Sequence, residues 1–307
     1  MKSNIISAVG WAAWFVAAFL IFSSPAWAWG PGTHIETSRF LLTHLVLLAP
    51  FIRKLISSHP AEFIYGAIVP DMVLGKRYMR PERNNHQWKV GFDVLLSAGS
   101  SKQRAFGLGY LSHLAADTVA HNQFVPDLLL ARFDVRRRGH VTHELLFDAM
   151  LDDEVWTICA ALSRRSYHEC DRLLRQKLPR TPIPKRINHR IFRSGGVLVR
   201  SGGWEKIVRQ IRARWGHELE SRVVTPYLHQ VHETVLEFLN DPDQAACRGY
   251  CPTGGKVLHE AESLRRDLKL LNKQSLLQPD DYQGLITDFT RWRENTGTLI
   301  LEPKTFS

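Results

Sequence analysis

Several motifs that would settle a function are missing from this sequence. It has no glycine-rich phosphate cradle, no nucleotide-binding fingerprint and no serine-triad signature, so a nucleotide cofactor and a serine hydrolase are both set aside. It has no low-complexity tract and no fixed-period repeat, which excludes solenoids and disordered arrays. Nowhere do apolar and polar residues alternate over a sustained stretch, as half-buried strands require. Cysteine is scarce: Cys159, Cys170, Cys247 and Cys251 are the only four. Their spacing is not that of a structural zinc knuckle. Acid is outnumbered, with a formal net charge of +10 over 307 residues. That balance favours anionic partners such as phospholipid surfaces or nucleic acid without choosing between them.

What is present begins with a leader. Residues 1–28 carry Lys2 and no acid, with an apolar run over 5–22 ending in Ala26-Trp27-Ala28. Small residues at the first and third places of that triplet suit signal peptidase, although a run of this length can also serve as a membrane anchor. Cleavage after Ala28 makes Trp29 the new terminus and places the mature protein outside the cell or in the periplasm. In such an oxidising compartment Cys247 with Cys251, and Cys159 with Cys170, are the plausible disulfide pairs.

Helical periodicity dominates the rest. The pattern predicts a helix from 33 or 34 toward 56, broken or kinked at Pro50, and a second over 60–69 that stops before Pro70. Residues 72 to about 102 read as loop-rich. Helices follow over 103–122 and 141–161, then a basic, proline-bearing linker over 177–190. Further helices are predicted at 204–215, 227–239, 257–271 and 282–293. The fold class is all-α. Three segments are expected: a signal peptide at 1–28, a helical core at 29–160, and a helical C-terminal region at 161–307 packed on that core.

The chemistry sits in the histidines. His113, Asp117 and His121 recur every four residues in an otherwise apolar helix, so they share one face. Two imidazoles and a carboxylate suit zinc or a similar cation. Hydrogen-bonded core residues are the plain alternative. His140 and Glu144 repeat the spacing. Asp71 follows Pro70, and His86 lies in a polar stretch. His143 either supports a neighbouring ligand or faces solvent. His229, His232 and Glu233 imitate a ligand cluster, but a solvated helix face accounts for them better. Arg136, Arg137 and Arg138 form an exposed loop or attract an anionic surface.

Taken in order, Trp29-Gly30-x-x-Thr33-His34, Gly66-Ala67-Ile68-Val69-Pro70-Asp71, His86, His113-x3-Asp117-x3-His121 and His140-x3-Glu144 resemble the zinc-dependent phospholipase C family. The single-strand nucleases are its distant relatives. The resemblance implies a multi-helix bundle with three zinc ions in a cleft. Asp71, His86, His113 and Asp117 would hold one ion. The Trp29 amine and carbonyl would hold another with His34 and Asp117. His121, His140 and Glu144 would hold the third. Asp71 would be the general base or the carboxylate that orients water. The implied substrate is a phospholipid at a membrane surface, cleaved by a monomer. A single-strand nuclease and a non-catalytic zinc-stabilised module are the alternatives. Two departures stand out: the four-residue step from Asp117 to His121 is shorter than in the secreted bacterial phospholipases C, and Gly32 replaces an acidic residue near their headgroup site.

Overall fold

The structure, a computed structural model, describes residues 30–72, 84–134, 147–178, 210, 213 and 221–298. All regular structure among these is helical: α1 (Pro31–Thr43), α2 (Pro50–Ser58), α3 (Pro60–Ile68), α4 (Trp88–Leu96), α5 (Ser101–Val119), α6 (Val125–Ala131), α7 (Asp153–Leu162), α8 (His168–Lys177), α9 (Ser221–Asn240), α10 (Gly255–Lys273) and α11 (Pro279–Thr298). Short 3-10 turns span Leu45–Leu47 and Ala246–Gly249, and a π-turn over Ala120–Phe124 joins α5 to α6. The interruption expected at Pro50 comes earlier: α1 stops at Thr43, and Pro50 instead starts α2, where its missing N–H costs nothing. No helix among the described residues is long and apolar enough to cross a membrane.

α5 is the axis. Every residue from Ala105 to Val119 is buried, the signature of a helix surrounded on all sides. α3, α4 and α9 pack around it. The α3–α5 crossing is very close because glycine faces backbone on both helices. A methyl group on Gly66 would fall on the Phe106 carbonyl, and one on Gly109 on the Phe63 carbonyl. A smaller apolar cluster of Leu130, Val257, Ala261, Leu268 and Phe289 joins α6, α10 and α11.

Two expectations need correction. The loop-rich stretch expected at 72–102 carries a helix that the sequence did not show, α4. Val90, Gly91 and Val94 form its buried stripe, and Gly91 sits against Leu111 and Leu114 of α5. That stripe is short, and its central contact is a glycine, so it carries little hydrophobic periodicity. The cysteines are also not paired: all four are free. The Cys251 sulfur lies 3.1 Å from the Thr253 hydroxyl. The helix expected at 204–215 and the linker at 179–190 lie outside the described residues, apart from Gln210 and Ala213.

α9 seats on α1 through His232, which is stacked on Phe40 with ring centroids 4.1 Å apart. His229 instead faces Glu233 in solvent, so the apparent ligand cluster on α9 is split. His232 Nε2 is buried without a hydrogen-bond partner. Burial, followed by the charges of His229, Arg39 and His44, pushes its pKa down to about 4. Folded His232 therefore stays neutral where the unfolded chain, near 6.5, binds a proton. Stability is lost as pH falls from about 6.5 toward 4. Replacing His232 with phenylalanine is expected to remove about 1–2 kcal/mol of the loss between pH 7 and pH 5. Urea midpoints at the two pH values read it; parallel declines in both proteins would disprove it.

Candidate metal centre

The glycine-mediated crossing of α3 and α5 brings the end of α3 beneath His113. The His113 Nδ1 lies 2.8 Å from the Ala67 carbonyl. A carbonyl only accepts, so Nδ1 carries the proton and Nε2 keeps its lone pair. His86 is fixed through a neighbour. Asn85 Nδ2 donates to the Pro70 carbonyl at 2.6 Å, which leaves Asn85 Oδ1 as the acceptor 3.2 Å from His86 Nδ1. His86 Nε2 is then also a lone pair. The Tyr110 hydroxyl donates to the Asn85 carbonyl at 2.5 Å, tying this turn to α5. Asn85 thus links the Asp71 turn to His86.

The two lone pairs meet. His86 Nε2 and His113 Nε2 are 3.1 Å apart, a separation that two proton-free nitrogens tolerate only with a cation between them. Carboxylates close the group. Asp117 Oδ2 lies 3.2 Å from His113 Nε2 and 3.5 Å from His86 Nε2. Asp71 Oδ1 lies 3.1 Å from His86 Nε2 and 3.9 Å from His113 Nε2. His34 Nε2 stands 3.5 Å from Asp117 Oδ1 and 3.8 Å from Asp71 Oδ2. Ligand atoms of His34, Asp71 and His113, and those of His86, His113 and Asp117, each fall within 4.8 Å of one another. Five of the nine sequence-predicted residues therefore converge.

The donor set fits zinc: neutral imidazoles and carboxylates, with His86 and His113 oriented by carbonyl-type acceptors. His34 makes the strongest case. Both of its ring nitrogens are buried without a hydrogen-bond partner, and its ring stacks on His113 at 3.9 Å. Burial above all, then the charge of His113, pushes its pKa down to about 3, which keeps it in the ligating form. Burial pushes the Asp117 carboxyl upward, but His113, His121 and His34 together hold it below the usual carboxylate range.

α1 carries His34 and is anchored by Asp148, a residue that no sequence pattern singles out. The fully buried Asp148 carboxylate accepts from the Gly32 amide at 2.8 Å, the Thr33 amide at 3.0 Å and the Thr33 hydroxyl at 2.8 Å. Any side chain at Gly32 would meet this carboxyl, with a methyl only 2.8 Å from Asp148 Cγ. The contact leaves room only for glycine at position 32.

His121 lies in the π-turn rather than in regular α-helix. Its Nδ1 is 2.6 Å from the Pro252 carbonyl, so its Nε2 also retains the lone pair. The π-turn changes the angular step after Asp117, so four residues no longer place His121 simply one α-turn along. His121 is close enough to lower the Asp117 pKa. Trp29, His140 and Glu144 lie outside the described residues.

Residues 33–190 match the profile of the family described as zinc dependent phospholipase C. Neither the curated proteins nor the solved structures yield a match.

Proposed function

The chain belongs to the zinc-dependent phospholipase C family, and from that premise we propose that it hydrolyses a glycerophospholipid to diacylglycerol and a phosphorylated headgroup. Membership supports a zinc-dependent phosphodiesterase in general; the lipid substrate is our reading. The observation that carries the reading is the 3.1 Å approach of two Nε2 lone pairs, ringed by Asp71 and Asp117. His86, His113, Asp71 and Asp117 would hold one ion. His34 would join Asp117 and the freed amine of Trp29 at a second. His121, His140 and Glu144 would complete a third. Zinc supplies a Lewis acid for the phosphoryl oxygens and lowers the pKa of water toward neutrality.

The residues divide the remaining work. The Asp71 carboxylate orients the attacking water and takes its proton as the water oxygen bonds to phosphorus. The bond from phosphorus to the diacylglycerol oxygen breaks, that oxygen takes a proton from solvent water, and Asp71 returns the proton it accepted to solvent. Asp117, held anionic by the neighbouring imidazoles, faces the Nε2 atoms of His34, His86 and His113 and keeps them on a common centre. Burial of every one of these groups strengthens the electrostatics by excluding bulk water.

A membrane-surface substrate also suits an exposed apolar patch that follows α1. Val46, Leu47 and Phe51 are exposed beside Arg53 and Lys54, in a stretch with no acid between Glu36 and Glu62. Secretion or periplasmic delivery would follow from cleavage after Ala28, and the same cut would create the Trp29 amine.

The test uses the exported chain that begins at Trp29, with zinc counted per chain and turnover measured on phosphatidylcholine, phosphatidylinositol and single-stranded nucleic acid. Lipid turnover with bound zinc is the expected result, and one extra residue before Trp29 should lower both sharply. Nuclease activity alone would replace the reading with the single-strand nuclease. A zinc-loaded chain inert toward all three would instead indicate a zinc-stabilised binding module.

A further inference from the structure

The structure holds a positioning device outside the matched family region. Three successive backbone carbonyls in the loop between α9 and α10 each accept from a different side chain of the two segments that carry His86 and His121. The Tyr250 carbonyl accepts from Trp88 Nε1 at 2.9 Å, the Cys251 carbonyl from Asn122 Nδ2 at 3.0 Å, and the Pro252 carbonyl from His121 Nδ1 at 2.6 Å. Trp88 opens α4, two residues after His86, while Asn122 and His121 are neighbours in the π-turn.

The loop is held from both sides. Upstream, the Arg248 guanidinium lies 4.4 Å over the Phe92 ring and 5.6 Å over Trp88, and Trp88 stacks on Phe238 of α9 at 5.1 Å. Downstream, Gly254 adopts φ +59 and presses its Cα onto the π-turn. A methyl there would lie 2.5 Å from both the Cβ and the carbonyl oxygen of His121. Only glycine meets both demands, the left-handed backbone and the lack of space.

We propose that residues 250–254 form a carbonyl clasp that fixes the tautomer and ring angle of His121, so that its Nε2 is offered to a cation. His121 sits in the π-turn, and the Pro252 carbonyl is the acceptor that orients its ring. The clasp makes the C-terminal region part of the site without lending it a ligand: Pro252 and Gly254 are positioning residues. This inference rests on His121 being a zinc ligand, as proposed above.

Gly254→Ala and Trp88→Phe, in the chain exported with its own leader, test the clasp, with Gly284→Ala as a control at a glycine that has nothing within 4 Å. Two readouts apply. Chelator competition should show the affinity for one zinc ion reduced about 10–100-fold in Gly254→Ala, by a smaller factor in Trp88→Phe, and unchanged in the control. Nitrogen-15 spectra of the histidine rings, recorded on zinc-free protein, should place the His121 proton on Nδ1 in the wild type and show a mixed tautomer in Gly254→Ala. If Gly254→Ala fails to fold, Trp88→Phe carries both readouts. Wild-type zinc affinity at every site in the variants, or a wild-type His121 protonated on Nε2, overturns the clasp. A wild-type chain that binds no zinc defeats the proposed function instead, while the ring spectra still decide the clasp.

Discussion

Replacing Asp117 with asparagine is expected to strip zinc from the protein and to lower phosphodiester turnover by at least about a thousandfold, a barrier change of about 4 kcal/mol. Among the described residues, Asp117 is the one carboxylate within 3.5 Å of His34, His86 and His113 alike. Asparagine keeps its volume, so the packing of α5 is preserved, but it removes the negative charge and offers a donor where His113 Nε2 presents a lone pair. Three neutral imidazoles would then converge with only Asp71 to balance a divalent ion. Zinc per chain by atomic emission and turnover on the preferred phosphodiester are the measurements. Wild-type values for both would show that Asp117 is not a ligand, and the site would have to be rebuilt around Asp71.

Asp117 also shows what the sequence reveals and what it hides. His113 and Asp117 were legible because α5 is apolar all round, so polar groups at a four-residue step stand out and fall on one face. The step to His121 was legible as a spacing but not as a geometry, since nothing in Ala120 to Phe124 announces a π-turn. Gly66 was visible in the motif, but its reason was not: it admits the Phe106 backbone, and that contact seats Ala67 under His113. Asn85 carries no signal of its own in the sequence, although it sets the tautomer of His86. Its role depends on a hydrogen bond to Pro70, fifteen residues earlier, which no local pattern encodes. α4 was hidden by Gly91, and the proposed cysteine pairs rested on compartment and proximity in sequence, neither of which fixes thiol geometry.

Asp148 is the most consequential group that the sequence concealed, and replacing it with alanine is expected to cost about 3–5 kcal/mol of stability at neutral pH. The change leaves the Gly32 and Thr33 amides and the Thr33 hydroxyl buried without their acceptor. These amides belong to the first turn of α1, whose N-terminus loses its acceptor at the same time. His34 follows one residue later, so zinc affinity should fall with stability. Asparagine separates the contributions. Its oxygen can still accept both bonds from Thr33, but its amide would confront the Gly32 N–H donor to donor, so about half of the loss should remain. The pH dependence supplies an independent check. Burial, opposed by the bonds from Gly32 and Thr33, raises the Asp148 carboxyl from 3.8 to about 7. The folded protein then keeps a proton that the unfolded chain has released, so this group destabilises the fold progressively as pH rises from about 4 to about 7. Asp148→Asn removes the titration, and its stability relative to wild type should therefore improve across that window. The slope has the opposite sign to that of His232, so the two variants are distinguishable in the same series of denaturation curves. A constant difference between Asp148→Asn and wild type from pH 4 to 7 would mean that the carboxyl is ionised throughout. The anchor of α1 would then be a full anion at the helix terminus, bound more tightly than its burial alone allows.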